Sequence, residues 1–254
     1  MKDLYYVLMY KKLGNAKQCK TLIKHGNIEI NGHVIRNPHY QVHYKDHLTY
    51  QNQELQAQPF FYYMLNKPKG YLCANHDQKE KCVVELIDHK DCFCLGRLDR
   101  DTTGLLILTN DNNLKKLLLP QNHIPKTYLV ETKSKLVKEY IIECQKGIII
   151  DGNKRCLPAY LEIQDDHHAL ITITEGKYHQ IKKMFLSLGN EVISLKRISF
   201  GKIQLDEHLK EGEARLFNQQ EIELLCRSLH ENVSTSFFKM EHRRSKVIER
   251  IMTK

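Results

Sequence analysis

Reactive side chains are most concentrated in residues 96–104. This segment carries Arg97, Asp99 and Asp101 between glycines, and an apolar run at 105–109 follows it directly. The run predicts a buried strand, and loops held by rigid strands are where catalytic groups concentrate. The segment therefore predicts a catalytic loop, although an arginine–aspartate ion pair that only stabilises a turn fits the same residues.

A second group of charged side chains lies in residues 175–185, where a predicted strand ends at a glycine and a helix begins. Lys177, Lys182 and Lys183 place amine donors near the start of that helix. A helix N-terminus favours anions such as phosphate, and a lysine beside a carboxylate keeps that carboxylate ionised. An amphipathic helix with a solvated basic face is the alternative interpretation.

Tyr128 is the third candidate, in a predicted strand at 127–132. A tyrosine in a strand usually packs in the core, but its ring can also stack on a nucleobase. Missing motifs argue against two other kinds of chemistry. The chain contains no phosphate-binding loop of the form G-x-x-x-x-G-K-[ST] and no H-x-E pattern followed by P-C-x-x-C. Nucleotide hydrolysis and zinc-dependent deamination are therefore not expected.

The elements that must position these residues follow no repeated strand–helix–strand period. Extended patterns lie at 60–65, 105–109, 127–132, 159–163, 169–174 and 191–205, and helical patterns lie at 114–119, 136–144, 180–188 and 219–229. Residues 66–70 predict a turn with basic side chains. Because helices and strands interleave irregularly, we expect an α+β fold whose larger domain is built on a mixed, mainly antiparallel sheet.

The first 55 residues predict a small unit of helices followed by strands. Two helical patterns, at 4–11 and 16–25, are separated by a turn that ends at Asn15, a good N-cap residue. Asn31-Gly32 is the strongest hairpin signal in the chain. The exposed face of the second helix carries three lysines, Lys17, Lys20 and Lys24.

Three histidines, His39, His43 and His47, follow this hairpin at intervals of four residues. On a helix that spacing would suit a metal ion. Apolar residues recur at every second position from 40 to 50 except at Asp46, however, and Pro38 precedes them. This pattern favours extended chain with the histidines on one polar face. We therefore expect no metal site here.

Composition and charge divide the chain further. The sequence has 254 residues and a net charge of +9, of which +4 lies in residues 1–55, +4 in 239–254 and only +1 between them. Clustered basic charge attracts phosphate backbones and predicts a nucleic-acid partner. We expect an N-terminal domain at 1–55, a linker at 56–59, a catalytic domain at 60–232 and a basic tail at 233–254.

The expected cellular setting follows from the cysteines and the apolar runs. No run approaches the ~18 apolar residues of a membrane helix, and the N-terminal residues lack a signal-peptide core. The eight cysteines contain no C-x-x-C pair. Scattered free thiols predict a protein of the reducing cytoplasm. From the short apolar runs we expect no membrane partner.

Five ordered motifs resemble those of RNA pseudouridine synthases. They are residues 64–71, 96–111, 126–130, 175–185 and 189–198. The set is similar to the branch that modifies a single site in ribosomal RNA, and within it to the small-subunit (16S) type. Residues 14–17, 22–23, 26 and 28–32 resemble an S4 RNA-binding domain.

The resemblance implies that the chain isomerises one uridine of 16S rRNA to its C5-glycoside without cofactor or metal. Asp99 corresponds to the essential carboxylate, which attacks the sugar C1′ or the base C6, or assists elimination. Tyr128 corresponds to the aromatic that stacks on the uracil and helps to remove the C5 proton. Lys182 corresponds to the basic partner that pairs with Asp99.

The resemblance also implies residues that hold the RNA. Ile181 packs beside the base, and Arg97 supports the flipped-out nucleotide. Candidate phosphate contacts are Lys67, Lys69, Lys177 and Lys183, and candidate contacts of the S4-like domain are Lys17, Lys20, Lys24 and Arg36. We expect a monomer that acts on rRNA in a small-subunit assembly intermediate. A synthase acting on 23S rRNA and a non-catalytic rRNA-binding assembly factor are the alternatives.

Overall fold

The computed structural model describes residues 2–43, 46–55 and 60–227. The chain divides into two units, one up to Phe61 and one from Tyr62. The division places Phe61 with the first unit, where the centroid of its ring lies 5.8 Å from that of Tyr10. The predicted linker at 56–59 and the predicted tail at 233–254 lie outside the described residues, as do positions 44 and 45 of the alternating segment.

Within its described residues, the first unit contains two helices and six short strands. They are β1 (Lys2–Asp3), α1 (Leu4–Tyr10), α2 (Ala16–Lys24), β2 (Ile28–Ile30), β3 (His33–Val34), β4 (Gln41–Val42), β5 (Leu48–Tyr50) and β6 (Gln53–Leu55). Four strands form an antiparallel sheet in the order β3-β2-β5-β6, and β1 pairs with β4. Buried residues such as Leu8, Ile23 and Ile30 form the core between the helices and the strands.

Local signals in this unit are confirmed. The Asn15 side chain accepts a hydrogen bond from the Gln18 N–H at 3.0 Å, and Gln18 returns one, which completes a capping box at the start of α2. Asn31 and Gly32 both have positive φ, as the tight turn between β2 and β3 requires.

Two of the three histidines that were predicted to share one polar face, His39 and His47, have different carboxylate partners. His39 Nδ1 lies 2.6 Å from an Asp3 carboxylate oxygen, and His47 Nδ1 lies 3.1 Å from a Glu54 carboxylate oxygen. In the part of the chain that the structure describes, no three histidine, cysteine, aspartate or glutamate side chains come together as a metal-ligand group.

Over residues 62–227, the part that the structure describes, the second unit contains eleven strands and three α-helices. They are β7 (Tyr62–Lys67), β8 (Phe93–Leu95), β9 (Thr103–Thr109), β10 (Lys126–Thr132), α3 (Glu139–Lys146), β11 (Ile149–Ile150), β12 (Lys154–Arg155), β13 (Tyr160–Ile163), β14 (His168–Ile173), α4 (Gln180–Ser187), β15 (Val192–Phe200), β16 (Ile203–Gln204), β17 (Ala214–Leu216) and α5 (Gln219–Arg227). The predicted helix at 114–119 is a 3₁₀ helix at Asn112–Leu118, and it is followed by Pro120, which cannot continue a helix.

Nine of these strands form one sheet. Its order is β13-β14-β10-β15-β9-β7-β17, with β16 on β15 and β8 on β9. The β9–β15 pair is parallel, and the other pairs are antiparallel. The predicted α+β class with a mixed, mainly antiparallel sheet is confirmed.

Three neighbouring strands of this sheet position the candidate residues. Tyr128 on β10 lies opposite Arg197 on β15, and Arg197 lies opposite Gly104 at the start of β9. The loop at 96–102, which joins β8 to β9, therefore emerges two strands away from Tyr128. None of the helices within the described ranges is long and apolar enough to cross a membrane.

Candidate active site

A cavity of about 490 Å³ opens where the 96–102 loop, β10 and the first turn of α4 come together. The loop contributes Arg97 and Asp99, β10 contributes Tyr128, and α4 contributes Ile181 and Lys182. With Lys177, which precedes α4, six predicted site residues from three distant segments thus line one cavity. A cavity of this size suits a small ligand or a single flipped nucleotide.

Asp99 is the carboxylate in the cavity wall that remains open to a ligand. Its side chain is 29% exposed, and the Nε2 atom of His179 lies 3.7 Å from its Oδ1. Within the described residues no group donates a hydrogen bond to the Asp99 carboxylate. Its backbone carbonyl accepts a bond from the Thr102 N–H at 3.1 Å, which closes the turn.

Glu175 also lines the cavity but is fully engaged by its neighbours. One carboxylate oxygen accepts bonds from the Leu157 N–H at 2.8 Å and from the Gln180 amide at 2.9 Å. The other oxygen is paired with the Lys177 ammonium. Because these bonds occupy Glu175, Asp99 is the cavity carboxylate whose oxygens accept no hydrogen bond from the described residues.

Lys182 contacts a different carboxylate from the one predicted. Its Nζ lies 2.5 and 2.7 Å from the two carboxylate oxygens of Asp101 and makes no hydrogen bond to Asp99. Burial would raise the pKa of Asp101, but the hydrogen bonds and charge of Lys182 outweigh burial and hold that pKa below its ordinary value. The prediction that Lys182 pairs with Asp99 is therefore wrong. Two carboxylates two residues apart on one loop compete for the same ammonium, and Asp101 is the one that binds it.

Lys67 is not positioned as a phosphate contact. It is fully buried at the end of β7, and its Nζ donates to the carbonyls of Pro68, Arg100 and Thr102 at 3.1, 3.1 and 2.9 Å. Burial lowers its pKa. The prediction for this residue is wrong, because β7 runs two residues into the predicted turn and carries Lys67 into the interior. There its ammonium holds the loop backbone on either side of Asp101.

Arg197 is a buried cation that the sequence reasoning did not single out. It is 1% exposed on β15, and its guanidinium donates to the carbonyls of Leu105 and Gly96, each at 2.8 Å. These carbonyls lie on the two sides of the catalytic loop. In the sequence, Arg197 lies two residues from both Leu195 and Ser199, so on a strand it faces the same side as they do. Because that side is buried, this alternation was the signal that Arg197 is buried too.

Gly104 allows β15 to approach this loop closely. Its φ is +96°, and a Cβ at this position would lie 2.3 Å from the carbonyl oxygen of Arg197. No side chain fits at that distance. The glycine that ends the 96–104 motif is therefore required by the parallel pairing of β9 with β15.

The remaining predicted RNA contacts have different surroundings. Lys69 is exposed, and Arg97 is exposed without a hydrogen bond or ion pair among the described residues. Lys183 Nζ lies 2.9 Å from Asp151. In the first unit Lys17 and Lys24 are exposed on α2. Lys20 Nζ lies 4.4 Å from the ring centroid of Tyr5, and the Arg36 guanidinium lies beside Gly26.

Comparison with known proteins assigns this arrangement to a class. Residues 61–187 match the RNA pseudouridylate synthase family, and residues 6–48 match the S4 domain. The chain belongs to the RNA pseudouridylate synthase family, whose members are isomerases, and it carries an N-terminal S4 domain.

Individual relatives agree with this assignment. An uncharacterized RNA pseudouridine synthase of Bacillus subtilis is 39% identical over 84% of this chain and 93% of the relative. The ribosomal small subunit pseudouridine synthase A of Haemophilus influenzae is 38% identical over 83% of this chain and 93% of the relative. A crystal structure of a pseudouridylate synthase is 35% identical, covers 89% of this chain and all of that one, and superimposes with a TM-score of 0.63.

Proposed function

We propose that this chain isomerises one uridine of small-subunit ribosomal RNA to pseudouridine, with Asp99 as the essential carboxylate and without a cofactor. One observation carries the role of Asp99: of the two carboxylates that line the cavity, Glu175 is saturated with hydrogen bonds and Asp99 is not. The choice of RNA is supported by similar proteins of Haemophilus influenzae and Escherichia coli, which are named for the ribosomal small subunit.

The reaction exchanges one bond of the uridine for another. The N1–C1′ bond breaks, the uracil turns within the cavity, and C5 bonds to C1′. N1 gains a proton and C5 loses its hydrogen to solvent, so the product has the composition of the substrate. Asp99 supports the electron-poor sugar carbon as a nucleophile or through its charge, or adds to C6. The enclosing walls keep the detached base from escaping.

The other residues of the cavity hold the base and the loop. The ring of Tyr128, 7% exposed in the wall, stacks on the uracil, and its hydroxyl helps to remove the C5 proton. Ile181 packs beside the base and Arg97 supports the flipped nucleotide. Lys182 acts indirectly, since it anchors the Asp99 loop to α4 through Asp101.

The S4 domain supplies affinity for the surrounding RNA. Its second helix presents Lys17 and Lys24 to solvent, with Lys20 and Arg36 nearby, and such charges bind phosphates without reading sequence. We infer that Lys69 contributes a phosphate contact from the catalytic unit. We also infer that the substrate is a small-subunit assembly intermediate and that the enzyme acts as a monomer.

Tritium release tests the proposal directly. Unmodified small-subunit rRNA labelled at uracil C5 should release tritium with the wild-type protein and none with Asp99→Asn, whose RNA affinity should stay within a few-fold of wild type. Turnover by Asp99→Asn near the wild-type rate would overturn the role of Asp99. Release from large-subunit rRNA alone would identify the other subunit as the target, and release from neither RNA would identify a non-catalytic binding factor.

A further inference from the structure

Tyr178 is the most exposed large apolar side chain in the described part of the chain, with 73% of its surface open to solvent. Its ring stacks on that of His179, with centroids 3.8 Å apart and an angle of 20° between the planes. The turn that carries both rings is held on one side by Glu175 and on the other by Gln180, whose amide oxygen accepts the Lys177 N–H at 2.9 Å. An exposed tyrosine ring, stacked on a half-buried histidine ring, is thus held on a fixed turn.

His179 has a backbone conformation that residues other than glycine adopt uncommonly. It precedes α4 with φ 53° and ψ 33°, in the left-handed region, and its side chain makes no capping hydrogen bond. Helix capping therefore does not explain a histidine here, and strained residues of this kind concentrate at functional sites. The conformation aims the ring at Asp99 and keeps it stacked on Tyr178.

A second cavity, of about 710 Å³, adjoins the catalytic cavity and shares His179 and Lys182 with it. Its walls include Lys133 and Lys183, with Glu191 as the acidic residue among them. Lys183 Nζ lies 5.2 Å from the ring centroid of Tyr178. Lys133 pairs with Glu191 and Lys183 with Asp151, so the lysines stay fixed beside the ring. Sites for single-stranded nucleic acid combine lysines that attract phosphates with an aromatic ring that stacks on a base.

We propose that the Tyr178–His179 pair is a stacking platform for the nucleobase adjacent to the target uridine, and that the second cavity takes the RNA strand as it leaves the catalytic cavity. The inference rests on the proposed function, because it follows the RNA beyond the flipped base. Flipping the uridine removes the stacking partner of its neighbour, and the platform replaces that partner at the boundary of the two cavities.

Single-turnover tritium release and filter binding, both with C5-labelled small-subunit rRNA transcribed in vitro, test the platform. Tyr178→Leu should weaken RNA binding and raise the enzyme concentration that gives half the maximal rate by roughly 10-fold, because one stacking contact is lost. The maximal rate should stay within about threefold of the wild-type rate. Tyr178→Phe, which keeps the ring, should restore the affinity. Ile142→Ala, at an apolar position of α3 that is 53% exposed, is the matched surface control.

The results separate the platform from the reaction itself. Wild-type affinity in Tyr178→Leu would overturn the platform and leave the isomerase assignment standing. No tritium release by any protein, with binding still weakened in Tyr178→Leu alone, would overturn the proposed reaction and support the platform. Equal loss of affinity in Tyr178→Phe and Tyr178→Leu would also overturn it, because a hydroxyl contact and not stacking would then be responsible.

Discussion

Replacing Arg197 with methionine tests whether the catalytic loop depends on a buried cation. Arg197 donates two 2.8 Å hydrogen bonds, one to Gly96 and one to Leu105, from a position that is 1% exposed. Arg155 is the matched control, since it also donates to two carbonyls, those of Lys146 and Gly147, but lies on the surface.

The expected magnitude follows from burial. Hydrogen bonds to a charged group contribute about 1.5–3 kcal/mol each, so two of them give roughly 3–6 kcal/mol. Methionine fills part of the space and removes a costly buried charge, which returns part of that energy. We therefore expect Arg197→Met to lower the free energy of unfolding by about 2–4 kcal/mol, and Arg155→Met by about 0.5 kcal/mol or less.

Urea unfolding followed by circular dichroism measures this difference, and the unaltered S4 unit contributes equally to each protein. With a slope of about 2–3 kcal/mol/M, Arg197→Met should lower the midpoint by about 1 M. Tritium release should fall by about 10²-fold, because the loop that carries Asp99 shifts. Equal midpoints for the two variants, or a raised midpoint in Arg197→Met, would refute the reasoning that carbonyl bonds outweigh desolvation at this site.

Three further predictions concern other groups. Tyr128→Phe should keep RNA affinity within about twofold and lower the maximal rate of tritium release by about 10²-fold, as expected for loss of a proton-transfer group; equal rates would refute that role. Replacing Lys17, Lys20 and Lys24 with glutamine should reduce the slope of log affinity against log salt by about 2, and an unchanged slope would show that α2 does not contact phosphates. Burial lowers the pKa of the Lys126 ammonium from 10.5 to about 8. Between these two pH values the unfolded chain binds more protons than the folded chain, so the free energy of unfolding should rise with pH across that window. The rise should be smaller in Lys126→Met when urea midpoints are compared from pH 8 to 10.5, and identical pH dependence would contradict it.

Features set by neighbouring residues could be predicted from the sequence. The N-cap at Asn15 and the tight turn at Asn31-Gly32 depend on contacts within three residues, and both predictions are confirmed. The class of sheet could also be predicted, because it follows from the irregular order of helical and extended patterns. The convergence of Asp99, Tyr128 and Lys182 on one cavity came from motif order, not from local pattern.

Partners that depend on the tertiary fold could not be predicted. Lys67 looks like a solvated turn residue, yet the pairing of β7 with β9 carries it beneath the catalytic loop. Lys182 reaches Asp101 because of where α4 meets the loop, and no spacing in the sequence distinguishes Asp101 from Asp99. The role of Arg197 requires the parallel β9–β15 pair, which joins segments about ninety residues apart.

The bond from Arg197 to Gly96 spans 101 residues of chain, which has a consequence for the time at which the enzyme matures. Synthesis at about 5–20 residues per second delivers Arg197 roughly 5–20 s after the segment that carries Asp99. During that interval β9 has no parallel neighbour and the catalytic loop lacks one of its two buried cations. The S4 domain is complete long before this point, so a nascent chain acquires its RNA-binding unit well before its catalytic loop is set.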